Sequence, residues 1–365
     1  MYKEIEKVLK KEPGMKARAI ASKIGKDRSA VSAYLHDHPE FFVQDGTYGW
    51  SLAKAGELRI ELPAGKWLTA DLFEDALALS ESTLLSTCEH VVFVLAKDTK
   101  LLLEATARLL ALCNQLVLAG KKVAIDFSDC YSTLDYFNRV GFFDFLNLSI
   151  SVIPSRPETS KAGLYKGGND GVVEVAMIDP VSPDEDIPGR LQKSFVSCAG
   201  AEYSVGAFTV LSELFGNVRD HSDSQIPGFA ALQFYPRGRK PHIQAVISDS
   251  GRGIIGTLPP VLELRYPNVA EAIRMSGMHP GVALIQEIFR KGGISSNEDE
   301  ARGLGLKRTG DVASKFNARI SVRQETFEVK VDYNKHGDIK FSHRLNLREL
   351  RGTHICFDFL LDGTR

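Results

Sequence analysis

The segment Leu211-Ser212-Glu213-Leu214-Phe215-Gly216-Asn217-Val218-Arg219-Asp220-His221 organises everything around it. Leucine, phenylalanine and valine recur through it at helical intervals, which predicts an amphipathic helix starting near Tyr203. Glu213, Asn217 and His221 are spaced i, i+4, i+8 and therefore share one helical face. A carboxylate, an amide and an imidazole in one stripe suit a ligand better than a core.

Three later segments go with it. A strand over 242–247 leads into Ser248-Asp249-Ser250-Gly251-Arg252-Gly253-Ile254. Arg302-Gly303-Leu304-Gly305-Leu306-Lys307 opens a helix expected to continue through Val312 and Phe316. Gly352-Thr353-His354-Ile355-Cys356-Phe357-Asp358-Phe359 is a closing strand. Glycine pairs at a helix start let backbone N–H groups approach an anion, where the helix dipole also favours negative charge. Residues 251–256 also spell Gly-Arg-Gly-Ile-Ile-Gly, a literal dinucleotide fingerprint. That motif must open a helix, and Pro259-Pro260 follow within about one turn, so we set it aside. No GxxxxGK[ST] is present, which excludes a P-loop at the motif level.

The order Glu-x-x-x-Asn, Asp-x-Gly-x-Gly, Gly-Leu-Gly-Leu and Gly-Thr closely resembles the GHKL ATPase family, which includes gyrase B, histidine kinases and the anti-sigma kinases. The resemblance implies a two-layer α/β sandwich over 191–365 that binds ATP and Mg²⁺. By the same resemblance Asn217 would coordinate Mg²⁺, and Glu213 would orient or deprotonate the attacking water. Asp249 would accept a hydrogen bond from the adenine amino group, with Gly251 and Gly253 letting the backbone pass close to the base. Gly303 and Gly305 would bring N–H groups onto the phosphates, Lys307 would add positive charge, and Thr353 would lie near adenine. The stretch between Gly256 and Ala301 corresponds to the family's mobile lid.

Upstream, Ile5, Val8 and Leu9 mark a helix that Pro13-Gly14 stops, followed by short helices over 16–24 and 28–36 and a hairpin turning at Asp45-Gly46. Three helices and a hairpin within residues 1–56 resemble a winged helix. Its third helix would bury Val31, Tyr34 and Leu35 and present Arg28, Ser29, Ser32 and His36 to DNA or to a protein partner. From 57 to 155, strands over 91–95 and 123–127 alternate with helices over 101–119 and 134–140, which predicts parallel pairing. This part resembles the STAS fold, which implies a possible protein partner. Ser128, Ser132 and Thr133 fall near the phosphorylatable serine of that family, but the spacing differs and Asp-Ser-Ser-Gly is absent. Residues 156–190, with a strand-like 172–178, read as a connector.

The whole is thus expected to be multidomain, α/β and α+β. The 365 residues carry a net charge of −1, which argues against a polybasic nucleic-acid binder, yet residues 1–59 hold 11 basic and 8 acidic side chains. The most apolar stretch, Leu101 to Ala119, is broken by Glu104, Arg108, Asn114 and Gln115, so no membrane span is expected. Five scattered cysteines without metal spacing, and no secretory signal, point to a reducing cytoplasm. Residues 155–200 lack any histidine, which argues against a two-component sensor kinase. The expected function is an ATP–Mg²⁺ regulatory switch, an ATPase pairing as a homodimer and controlling DNA or protein binding by residues 1–56. The alternative is a serine protein kinase of the anti-sigma type acting on a STAS-like partner.

Overall fold

The computed structural model describes residues 1–38, 41–52, 57–65, 67–221, 224–237, 240–291, 313, 317–333 and 338–361. Its first unit comprises α1 (Tyr2–Lys11), α2 (Ala17–Ile24), α3 (Arg28–Asp37) and the antiparallel pair β1 (Phe42–Gln44) and β2 (Trp50–Leu52). Ile5, Leu9, Ile20, Val31, Leu35, Phe42 and Trp50 close a core of their own. Gly25 ends α2 in the left-handed conformation, φ 65°. Asp27 then caps α3, its carboxylate accepting from the N–H groups of Ser29 at 2.8 Å and Ala30 at 3.1 Å.

The middle unit runs β3 (Glu57–Leu62), α4 (Ala70–Ala78), β4 (His90–Leu95), α5 (Leu103–Leu118), β5 (Lys122–Asp126), α6 (Tyr131–Arg139), α7 (Phe142–Phe145) and β6 (Ser151–Ile153). Its four strands are parallel in the order β3-β4-β5-β6, as strand–helix alternation requires. The helix α5 is buried almost all round, Arg108 and Gln115 included. A helix without a solvent face must lie between two layers.

The last unit contains α8 (Ala162–Tyr165), β7 (Val172–Ile178), α9 (Ile187–Ala199), α10 (Ser204–His221), β8 (Gly228–Tyr235) and β9 (His242–Asp249). Among the described residues four helices follow: α11 (Gly253–Thr257), α12 (Pro259–Arg265), α13 (Pro267–Met275) and α14 (Pro280–Lys291). The chain closes with β10 (Ala318–Gln324), β11 (Phe327–Tyr333), β12 (Ile339–Arg344) and β13 (Thr353–Leu360). Its seven-stranded sheet has the order β12-β11-β10-β13-β9-β8-β7 and is antiparallel throughout.

Three expectations change. The segment 156–190 is more than a connector, because β7 pairs with β8 and forms one edge of the large sheet. The two-layer sandwich expected over 191–365 is covered on both faces. Apolar side chains of α9, α10 and α14 pack on the front, while the middle unit shares a core with Val175, Phe229, Ala231, Val246 and Cys356 on the back. The stretch expected as a lid includes α14, whose Val282, Leu284, Ile285, Ile288 and Phe289 are core residues.

The back face also buries charge. Arg108 of α5 pairs with Glu74 of α4 at 2.8 Å, with Glu104 at 2.6 Å and with Glu328 of β11. Arg323 of β10 pairs with Glu74 at 2.8 Å, and Lys330 reaches Asp71 at 2.5 Å. Burial pushes the Glu74 carboxyl up, but the guanidiniums of Arg323 and Arg108 outweigh it and hold it below the usual range. Arg348 closes the end of α4, donating to the carbonyls of Leu77 at 3.3 Å and Ala78 at 3.1 Å.

Candidate functional site

The helix α10 buries Ala207, Val210, Leu211, Leu214, Phe215 and Val218 against the front of the sheet. Glu213 lies beside that stripe, half-buried, and Asn217 one turn on is exposed. Gly228 sets the approach. A Cβ there would stand 2.3 Å from Val218 Cγ1 and 3.0 Å from the Ser248 carbonyl oxygen. The last turn of α10 therefore lies on the start of β8, beside the end of β9.

Asp249 is the last residue of β9 and pairs in register with Thr353, the first of β13. Its Oδ1 accepts from the Gly251 N–H at 2.6 Å. Burial raises the Asp249 carboxyl to about 6, while hydrogen bonds from Gly251 and Thr353 pull it the other way. At neutral pH it is an ionised acceptor in a largely dry position. The Thr353 hydroxyl accepts from Gln324 Nε2 at 2.8 Å. Gln324 Oε1 would stand 2.8 Å from a Cβ on Gly253, which has φ 66°. Gly352 is equally constrained, at φ 91° with the Asp249 carbonyl 2.1 Å from its would-be Cβ. The ends of β9, β10 and β13 thus meet through Asp249, Gln324 and Thr353.

Beneath this end, His354 Nδ1 bonds to the Ser248 hydroxyl and Nε2 donates to the Arg351 carbonyl at 2.8 Å. Burial lowers the imidazole to about 3, so it is neutral and structural. Gln115 of α5 also reaches here. Its Nε2 donates to Ser250 Oγ at 3.0 Å and to the Arg351 carbonyl at 2.9 Å, and its Oε1 accepts from the Arg351 N–H at 2.8 Å.

The structure therefore brings Asp249, Gly251, Gly253 and Thr353 together at one end of the sheet, and the last turn of α10, which follows Glu213 and Asn217, lies on the start of β8. Gly303, Gly305 and Lys307 lie outside the described residues. Gly228, Gln324 and Gln115 escaped the sequence reading, and Gly352 was given no role there. The two glutamines carry no local signal, whereas Gly352 stood within the quoted Gly-Thr pair. Among the described residues no group of three His, Cys, Asp or Glu side chains is placed to hold a metal.

The residues expected to face DNA lie apart, in the first unit. Arg28, Ser29 and His36 are exposed and Ser32 is half-buried. The Ser29 hydroxyl donates to Asp27, and the His36 ring stands edge-on to Trp50 with centroids 4.8 Å apart. In the middle unit Thr133 is buried and donates to the Thr99 carbonyl, which removes it from modification in this fold. All five cysteines are free thiols. Among the described residues no helix is long and apolar enough to cross a membrane. Comparison with protein-family models, with curated proteins and with solved structures returned no match.

Proposed function

We propose that the chain binds ATP with Mg²⁺ between α10 and the ends of β9 and β13, and works as a nucleotide-dependent regulatory switch. The observation that carries this reading is the buried Asp249 carboxylate, held in register beside Thr353 at the end of the sheet that the last turn of α10 reaches. A fixed acceptor next to a hydroxyl fits the edge of adenine, whose amino group donates. Gly251 removes a side chain from the loop next to Asp249, and Gly253 lets that loop pack against Gln324, which would leave the base room to approach. Asn217, exposed one turn beyond Glu213, would offer its amide oxygen to a Mg²⁺ that the triphosphate itself helps to ligate. Glu213 would orient the attacking water or take its proton.

The output assigned to the switch is DNA or partner binding by residues 1–52, a winged helix in this reading, with pairing of two copies as the nucleotide-sensitive step. The middle unit, STAS-like in this reading, holds the back of the sheet and supports the site loop through Gln115. ATP titration by calorimetry tests the site. Asp249→Asn and Asn217→Ala should each weaken Mg–ATP binding by about tenfold or more, which is about 1.4 kcal/mol. Unchanged affinity in both variants rejects the assignment. With γ-labelled ATP, release of free phosphate supports the switch, and label on protein supports the serine-kinase alternative.

A further inference from the structure

A cavity of about 580 Å³ opens at the other end of the large sheet, between it and the middle unit. This volume lies in the range of about 300–1,000 Å³ typical of small-molecule sites. Trp67, Lys100 and Ser132 enter its wall from the segments that follow β3, β4 and β5. Those are the carboxyl ends of parallel strands, where loops diverge and open α/β sheets leave a crevice for ligands. The opposite wall comes from β7 and from the end of β8.

Five rings line the space: Trp67, Tyr136, Tyr165, Phe234 and Tyr235. Two are fixed by hydrogen bonds. The Tyr235 hydroxyl accepts from the Leu103 N–H at 2.8 Å, and the Tyr136 hydroxyl donates to Gln233 at 3.2 Å. Trp67 stands edge-on to Tyr235 at 5.7 Å, yet 48% of it is exposed, as is 49% of Tyr165. Large rings left half-wet in a concave wall provide stacking surface.

The same wall carries positive charge. Lys100 Nζ lies 5.7 Å from the centroid of Trp67, and Arg139 lies 5.8 Å from that of Tyr165. Arg139 is paired with Asp135 at 3.3 Å. Lys100 and Arg237 have no carboxylate partner among the described residues. Glu174 is the carboxylate in the lining, so the balance of charge stays positive.

We propose that this cavity is a second ligand site, taking a planar heteroaromatic anion of the nucleoside-monophosphate class. The ring lies against the aromatic wall, and Lys100 and Arg237 hold the phosphate. The site is separate from the one proposed for ATP. His242 and Asp249 end β9 on opposite sides, roughly 23 Å apart at about 3.3 Å per residue. The two also differ in selectivity, because the carbonyl oxygen of guanine would face the Asp249 carboxylate with no proton to share.

GMP is therefore the probe. The chain has two tryptophans, so Trp50→Phe in the full-length protein leaves Trp67 as the sole tryptophan, excited selectively at the red edge of the absorption band. GMP should change its emission saturably, and guanosine and ribose 5-phosphate should each bind about tenfold or more weakly. Lys100→Gln and Arg237→Gln should each weaken GMP about tenfold, while Asp249→Asn should leave it unchanged. If Trp50→Phe fails to fold, calorimetric titration of the wild-type chain replaces emission. No saturation at millimolar GMP overturns the proposal, as does affinity indifferent to both cation variants. Loss of GMP binding in Asp249→Asn would place the probe in the other site and equally overturn it.

Discussion

The two faces of the seven-stranded sheet are built from the same strands and solve opposite problems. On the front, Ile320 and Val322 of β10 and Val329 and Val331 of β11 join an apolar core with α9, α10 and α14. On the back, the alternate residues of the same strands include Ser321, Arg323, Glu328 and Lys330. Alternation of apolar and polar residues normally marks a sheet with one wet face. Here α4 and α5 cover that part of the back and carry the complementary charges, Glu74 and Arg108, so the polar stretch on β10 and β11 has become an interior beside the apolar core around Phe229, Val246 and Cys356. The front gains hydrophobic stabilisation that tolerates small errors of fit. The back depends on partners that cannot be removed singly, because a lone buried charge costs more than its pair contributes.

The largest effect should follow from Arg108→Met, which leaves Glu74, Glu104 and Glu328 facing one another without that guanidinium. We expect a loss of about 3–5 kcal/mol in urea unfolding. Adding Glu328→Leu should recover part of it through their direct contact. A loss below about 1 kcal/mol would erase the contrast between the faces.

Asp249 tests the front of the sheet through pH. Its folded-state value of about 6 lies above the ordinary 3.8, so the folded state holds the proton more tightly. Stability should then fall as pH rises from about 4 to 6, with the full cost of ionisation above that window. Asp249→Asn removes this slope and should be more stable than wild type at pH 7 by about 2–3 kcal/mol. Equal pH profiles for the two proteins would show that the carboxyl is not desolvated.

Gln115→Leu should cost about 1–2 kcal/mol through lost hydrogen bonds to Ser250 and Arg351. It should also weaken Mg–ATP several-fold, measured by calorimetry, since the loop it braces follows Asp249. Unaltered ATP affinity would mean that the back face does not support the front site. The smallest effect belongs to the rim. Arg344 is a third exposed and pairs with Asp75 at 2.6 Å, so Arg344→Ala should change stability by less than about 1 kcal/mol. A larger loss would extend the buried network outward to β12.

Much of the scaffold was legible because it is written locally. The helical stripe through Leu211, Leu214, Phe215 and Val218 is visible in the sequence, and it alone places Glu213 and Asn217 beside one another. The strand before Asp249 and the closing strand at Thr353 were equally plain. Less legible was where β7 belongs: 172–178 read as strand-like, but its Gly- and Asp-rich flanks marked a connector and hid its pairing with β8. The short segments β3 and β6 also escaped, since Glu57-Leu58-Arg59-Ile60 mixes charge with apolar residues at the edge of its sheet.

By itself the sequence determined which residues sit on helices and strands, and which of them share a face. Periodicity and turn chemistry act over a few residues and need no knowledge of the rest. Only the tertiary structure decided that Arg108 would meet Glu328, 220 residues away, or that Arg323 would meet Glu74 across 249. It likewise set Gln115 beneath Ser250 and opened the aromatic cavity between the two units. Such pairings depend on how whole layers stack, and many residue types at each position satisfy the local rules equally well. The identity of the partner is settled only when burial removes water as the alternative.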